Sequence, residues 1–108
     1  MKESKEVFEN CIESCLDCTE ECLSCAEVCE GKQGMEPCIR LCNDCAAKCR
    51  KCATDCENDS ENMNNSLQEC IEACEACADE CEKHNNESCI QCAETCRACA
   101  EECKNMVV

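Results

Sequence analysis

At 108 residues, with 21 cysteines, one phenylalanine and neither tryptophan nor tyrosine, the chain has too little ordinary apolar material for a conventional core, so the domain must be closed by sulfur. Ten Lys and Arg against 25 Asp and Glu leave a formal net charge of −15, which repels nucleic acid and anionic membrane and suits the attraction of cations. No apolar run approaches the ~18 residues of a membrane span, the opening MKESKEVFENC has no apolar signal-peptide stretch, and the cytoplasm, where thiols stay reduced, is the expected compartment unless a leader has been removed.

The first predicted helix carries CIESCLDCTEECLSCAEVC, in which Cys11, Cys15, Cys18, Cys22, Cys25 and Cys29 follow one another at steps of 4, 3, 4, 3 and 4. Alternating steps of three and four are the inward seam of a heptad, so every thiol of the run shares one helix face. Gly31, Gly34 and Pro37 interrupt the pattern, with Pro37 where a first helical turn tolerates it. The rhythm resumes at Cys38, Cys42, Cys45, Cys49, Cys52 and Cys56. A polar stretch, ENDSENMNNS at 57–66, follows; Ser60 or Ser66 is the expected cap of the next helix, and Ser66 with Glu69 fits a capping box. The third run is Cys70, Cys74, Cys77 and Cys81; after HNNES at 84–88 comes the fourth, Cys89, Cys92, Cys96, Cys99 and Cys103. Four helices of about 20 to 25 residues joined by short loops predict an all-α, antiparallel up-down-up-down four-helix bundle. The chain is read as one domain spanning 1–108 whose core is lined by cysteine.

Extending the seams separates the two ends. Phe8, Met63, Leu67 and Met106 fall at one end, with Cys56 and Cys103, and predict ordinary apolar packing there. The opposite end gathers Cys29, Cys38, Cys81 and Cys89, and its seams continue into Met35 and His84. No large apolar residue is expected to close it, so it reads as a mouth lined with thiol, thioether and imidazole. His84 could equally be a solvated residue at a helix C-terminus, and Met35 could simply be packing.

Three chemistries compete for such an interior. As plain small hydrophobes, 21 thiols in register make no sense where Ala, Val or Leu pack better and do not oxidise. Disulfides fit poorly: the count is odd, and neighbours three or four apart on a helix have Cβ atoms ~5–6 Å apart where a disulfide wants about 3.8 Å. Soft metal ions remain. Zinc would take four thiolates per site and leave each near −2, a heavy burial cost when several are stacked. Cu(I) prefers soft sulfur at low coordination; with each thiolate bridging two ions, the filled core approaches neutrality at about one ion per cysteine. Iron–sulfur binding lacks its Pro and its loop setting. The seven CxxC pairs, such as Cys42 and Cys45, arise from the heptad itself. With His84 the only histidine, no partner set for thiol catalysis exists, so an enzyme is not expected. A zinc or cadmium thiolate buffer, or a thiol-redox or disulfide-structured helical protein, stands as the alternative to a Cu(I) store.

The four cysteine-seamed helices, and above all CEACADECEKH followed by CIQCAETCRACAEEC, resemble the bacterial copper storage proteins, most closely the cytosolic branch. The resemblance covers essentially the whole chain. Metallothioneins differ, using CxC and CC clusters without regular helices. Membership would imply a homotetramer of bundles, each holding many Cu(I) ions on its seam cysteines, Cys11 through Cys103, and taking them up at a His- or Met-bearing end from a copper donor or acceptor protein. His84 falls where family members place mouth histidines. Two departures stand out: a single histidine at the mouth, which shifts recruitment towards Cys29, Cys38, Cys81 and Cys89, and Leu67 in a seam position that could have held another thiol. For the tetramer the chain itself offers only the outward-facing Leu16 and Leu23.

Overall fold

Alanine, glutamate, lysine and arginine between the cysteines favour helix, and the computed structural model, which describes residues 2–107 and side chains from residue 6, is helical almost throughout. The helices are α1 (Lys2–Cys29), α2 (Glu36–Glu57), α3 (Met63–Cys81) and α4 (Glu87–Met106). Each helix packs on its two neighbours in the ring α1–α2–α3–α4; across either diagonal no Cα atoms of the described residues come within 8 Å, and only side chains meet. Short loops between consecutive helices make this the expected antiparallel bundle, 48 Å long and 20 × 18 Å across.

Helix ends follow local chemistry in three of the four cases. Gly31 and Gly34 adopt φ of 81° and 80°, the left-handed region in which a side chain is strained, and between them they turn the chain sharply from α1 into α2. Pro37 lies in the first turn of α2. Asn86 caps α4, its Oδ1 accepting a hydrogen bond from the Cys89 N–H at 2.8 Å. The start of α3 is different from expectation. The helix begins at Met63, so Ser66 is interior rather than a cap, and Asn62, at the N-cap position, makes no side-chain capping bond. Ser60 instead accepts the Asn62 N–H at 3.1 Å in the preceding turn. The cause is packing: Met63 and Leu67 continue the seam and rest on the core, which draws the helix start back by one turn. Helix lengths also spread beyond the expected range, from 28 residues in α1 to 19 in α3.

The core is one continuous cluster. All 21 cysteines are buried, 19 of them at 0% exposure. Ala26, Ala46, Ala53, Ala73, Ala78, Ala93 and Ala100 flank them, small enough to bring the helix backbones close. Leu67, at 1% exposure, is the one large aliphatic side chain fully enclosed among the described residues. Polar closure is local: Ser66, itself buried, donates its hydroxyl to Asp55 Oδ2, while Lys51 Nζ reaches the same carboxylate at 3.0 Å and the Ser66 hydroxyl at 3.1 Å. This triad ties α2 to α3. On the surface, Arg97 bonds Asp79 at 2.7 Å and Glu82 at 2.8 Å, and Lys104 pairs with Glu75 at 2.8 Å, both linking α3 to α4. Exposed pairs of this kind contribute little individually.

Candidate metal centre

Seam geometry aims every cysteine at the bundle axis, and the four helices interleave their thiols. From the Met35 end inward, Cys29 and Cys38 each lie 3.8 Å from Cys89, and Cys38 lies 3.8 Å from Cys81. Cys42 continues the column, 3.9 Å from Cys92 and 3.6 Å from Cys77. In the middle, Cys18 touches Cys22, Cys45, Cys74 and Cys96 at 3.7–3.9 Å. Beyond it, Cys70 is 3.6 Å from Cys49, and Cys103 is 3.8 Å from both Cys15 and Cys70. Cys11 then reaches Cys103 at 3.7 Å. The column of sulfur is unbroken, with no pair near the ~2.05 Å of a disulfide.

Groups of four thiols recur along this column with all Sγ atoms within 4.8 Å of one another: Cys11, Cys15, Cys52 and Cys103; Cys15, Cys70, Cys99 and Cys103; Cys18, Cys45, Cys49 and Cys74; Cys18, Cys22, Cys45 and Cys96; Cys22, Cys77, Cys92 and Cys96. Several cysteines belong to two groups, which is the sharing that bridging thiolates require. By contrast, the surface groove between α1 and α4 is lined by Asp17, Glu20, Glu21 and Glu94 and holds no thiol.

Burial and sulfur neighbours pull the thiols in different directions, and at the Met35 end Cys29, Cys38 and Cys89 hold their protons. Loss of water on burial pushes Cys29 up to about 11 and Cys38 and Cys89 up to about 12. In the middle, hydrogen bonding to Cys18, followed by burial, raises Cys22 and Cys74, and Cys18 as their shared acceptor is drawn down. An ion that binds among Cys29, Cys38 and Cys89 must therefore displace protons.

Two features of the mouth differ from the open end expected of the sequence. Met35 is buried at 7% exposure and belongs to the core cluster, because the two left-handed glycine turns fold the loop back onto the bundle. Beneath it Cys29, Cys38, Cys81 and Cys89 are all at 0% exposure. His84 sits at the same end with 21% of its side chain exposed, Nε2 2.9 Å from Glu80 Oε2. Glu80 was not among the residues singled out by the sequence reading, although its i,i+4 spacing to His84 was visible there. The His84 hydrogen bond holds the Glu80 carboxyl below its ordinary range.

An all-α bundle whose whole interior is a shared thiol array is a container for soft metal ions. The chain belongs to the copper storage protein family, which matches residues 4–108. Solved structures agree. Apo copper storage protein 3 from Bacillus subtilis is 38% identical over 93% of this chain and 98% of its own, with a TM-score of 0.87. The Cu(I)-bound form of the Bacillus protein gives 38% identity, 94% and 99% coverage and a TM-score of 0.89. A cytosolic copper storage protein from Streptomyces lividans, holding five coppers, gives 33%, 99% and 97%, and 0.94. A comparison with curated protein sequences finds no match. Among the described residues no helix is long and apolar enough to cross a membrane.

Proposed function

We propose that this chain, acting as one domain over 1–108, stores and sequesters Cu(I) in the cytoplasm on the thiolates of its 21 seam cysteines. It binds reversibly and turns nothing over. The observation that carries the reading is the unbroken column of buried, free thiols in which neighbouring four-sulfur groups share members. Sharing allows bridging, and bridging brings the filled interior close to neutrality at roughly one ion per cysteine.

The spacing also bears on coordination. At a bond length of ~2.3 Å, two sulfurs on opposite sides of an ion stand about 4.6 Å apart and three around it about 4.0 Å apart. The neighbouring sulfurs lie at 3.6–4.0 Å, so three-sulfur sites fit the column as built, while the two-sulfur sites that bring loading to one ion per cysteine require it to spread.

Anaerobic titration of the reduced protein with Cu(I) against a strong chelator tests the proposal. The expected uptake is roughly 20 ions per chain; saturation at four or five would point to separate zinc-type sites. Because the ligand is the thiolate and protons compete with the ion for sulfur, affinity falls as pH is lowered. His84 and Met35, at the end that also carries Cys29, Cys38, Cys81 and Cys89, are the donors we assign to first capture. A copper donor or acceptor protein would meet the bundle at this end. The exposed Leu16 and Leu23, at 43% and 42% on α1, support assembly into a homotetramer, which sedimentation analysis of the full chain would check.

A further inference from the structure

We propose that the end of the bundle carrying Phe8, Met63 and Met106 is a second copper port, admitting Cu(I) to the thiol column independently of the Met35 and His84 end. The inference rests on the storage reading and adds a second route to it.

Exposure is the first observation. Cys56, at this end, is 4% exposed, while every other cysteine of the column is at 0 or 1%. The thiols at the Met35 end are all at 0%, beneath a buried Met35. The most exposed cysteine of the core is therefore at the end whose sequence reads as a stopper.

The second observation is the donor chemistry around it. Leu67 fills the α3 seam, but Met63 and Met106 are only partly buried against the core. They present two thioethers, which are soft neutral ligands for Cu(I). Cys11 and Cys52 are the thiols that act on Cys56. Cys11 lies 3.7 Å from Cys103, which lies 3.8 Å from Cys15 and Cys70. From Cys11 inward an ion thus has a neighbouring sulfur within 4 Å at each step.

Charge is the third. The loop ENDSEN, 57–62, places Glu57, Asp59 and Glu61 on the surface beside Cys56 and contains no Lys or Arg. Two cations near this end are engaged, Lys51 by Asp55 at 3.0 Å and Lys104 by Glu75 at 2.8 Å. Each loop at the opposite end carries a lysine beside acidic residues, Lys32 near Glu30 and Lys83 paired with Glu80 at 3.5 Å. The acidic loop beside Cys56 therefore attracts a monovalent cation.

The transfer balances simply. Cu(I) arrives bound to a low-molecular-weight thiol; its bond to the donor sulfur breaks as a bond to the Cys56 sulfur forms, and the Cys56 proton passes to the departing thiolate. Copper remains Cu(I) throughout.

Two measurements on the reduced full-length chain decide the matter. In a brief native pulse of N-ethylmaleimide on the apo-protein, Cys56 is expected among the first thiols alkylated; early labelling confined to Cys29, Cys38, Cys81 and Cys89 overturns the port. Uptake from a Cu(I)–glutathione complex is then followed by stopped flow in wild type, in M63L/M106L, in M35L/H84Q and in the four-fold variant. M63L/M106L is expected to slow the first phase several-fold, and the four-fold variant to be slower than either pair; an M63L/M106L rate equal to the wild type in both backgrounds overturns the port. Should M63L/M106L lose its helicity, M106L alone is read in its place. Wild-type capacity is measured alongside: a capacity far below the cysteine count defeats the storage reading itself, whereas full capacity with an unchanged M63L/M106L rate defeats only the port.

Discussion

Around Cys18 and Cys96 in the middle of the bundle sulfur meets sulfur at 3.6–3.9 Å on every side, whereas towards the ends thiols give way to Phe8, Leu67, Met63 and Met106, or to Met35 and the His84–Glu80 pair. A cysteine buries less apolar area than a leucine, so the middle contributes less to folding per residue than a standard core. Larger side chains and the Lys51–Asp55–Ser66 triad do their anchoring away from it. The apo bundle is thus held by helix formation, modest burial and its ends, and the middle is left free to be defined by its cargo.

The strongest way to test this division is to fill the middle. Any ion that binds only the folded chain stabilises it, by about 2.7 kcal/mol per site at a hundredfold excess over the dissociation constant. With about 4–8 °C per kcal/mol for a domain of this size, full Cu(I) loading is expected to raise the unfolding midpoint by tens of degrees. Calorimetry of apo and loaded protein checks it; equal midpoints would show that the thiols do not bind as a shared interior. The apo-protein is expected to be already helical by circular dichroism, since the apolar pattern specifies the bundle without metal.

A narrower break removes one central group. Substituting Cys18, Cys45, Cys49 and Cys74 together by alanine is expected to lower Cu(I) capacity by about four ions. Alanine favours helix, and each lost sulfur costs on the order of 1 kcal/mol. The apo midpoint should therefore fall far less than the loaded one. A loss of capacity well beyond these four ions would mean that bridging makes the column cooperative.

Much of this middle was legible in the sequence. The 4-3 spacing of the cysteines fixes a face, four such faces fix a bundle, and all 21 thiols are buried where the period places them. The ends were less legible because they depend on loop geometry, which has no comparable period. Met35 closes the mouth only because Gly31 and Gly34 turn the chain back. Ser66 had the spacing of a cap, but the seam residues Met63 and Leu67 outweighed that local signal, and its hydroxyl went to Asp55 instead. The partnership of Lys51 and Asp55 with Ser66 crosses from α2 to α3, so no pattern within one helix could reveal it.

An end-directed substitution should behave in the opposite manner to the central one. Leu67→Ala empties the one large aliphatic site that is fully enclosed and is expected to cost about 2–4 kcal/mol of apo stability, read as a lower urea midpoint at an unchanged slope. Leu67→Cys sharpens the contrast, because it extends the α3 seam by one thiol. It should add about one Cu(I) to the capacity on the one-per-cysteine arithmetic while still weakening the apo fold.

The smallest effect expected lies in the α2–α3 triad and is visible only against pH. The Ser66 hydroxyl, then Lys51, hold the Asp55 carboxyl below its ordinary value. A depressed carboxyl stabilises the fold above the pKa it has in the unfolded chain, about 3.9, and that contribution disappears as pH falls through the lower folded value. Asp55→Asn removes the charge at every pH. Wild type and Asp55→Asn should therefore differ slightly in apo midpoint near neutrality and converge in acid below pH ~3.9. A difference that stays constant through this range would assign the role of Asp55 to packing and neutral hydrogen bonding, and the anchoring of this end would then owe nothing to its charge.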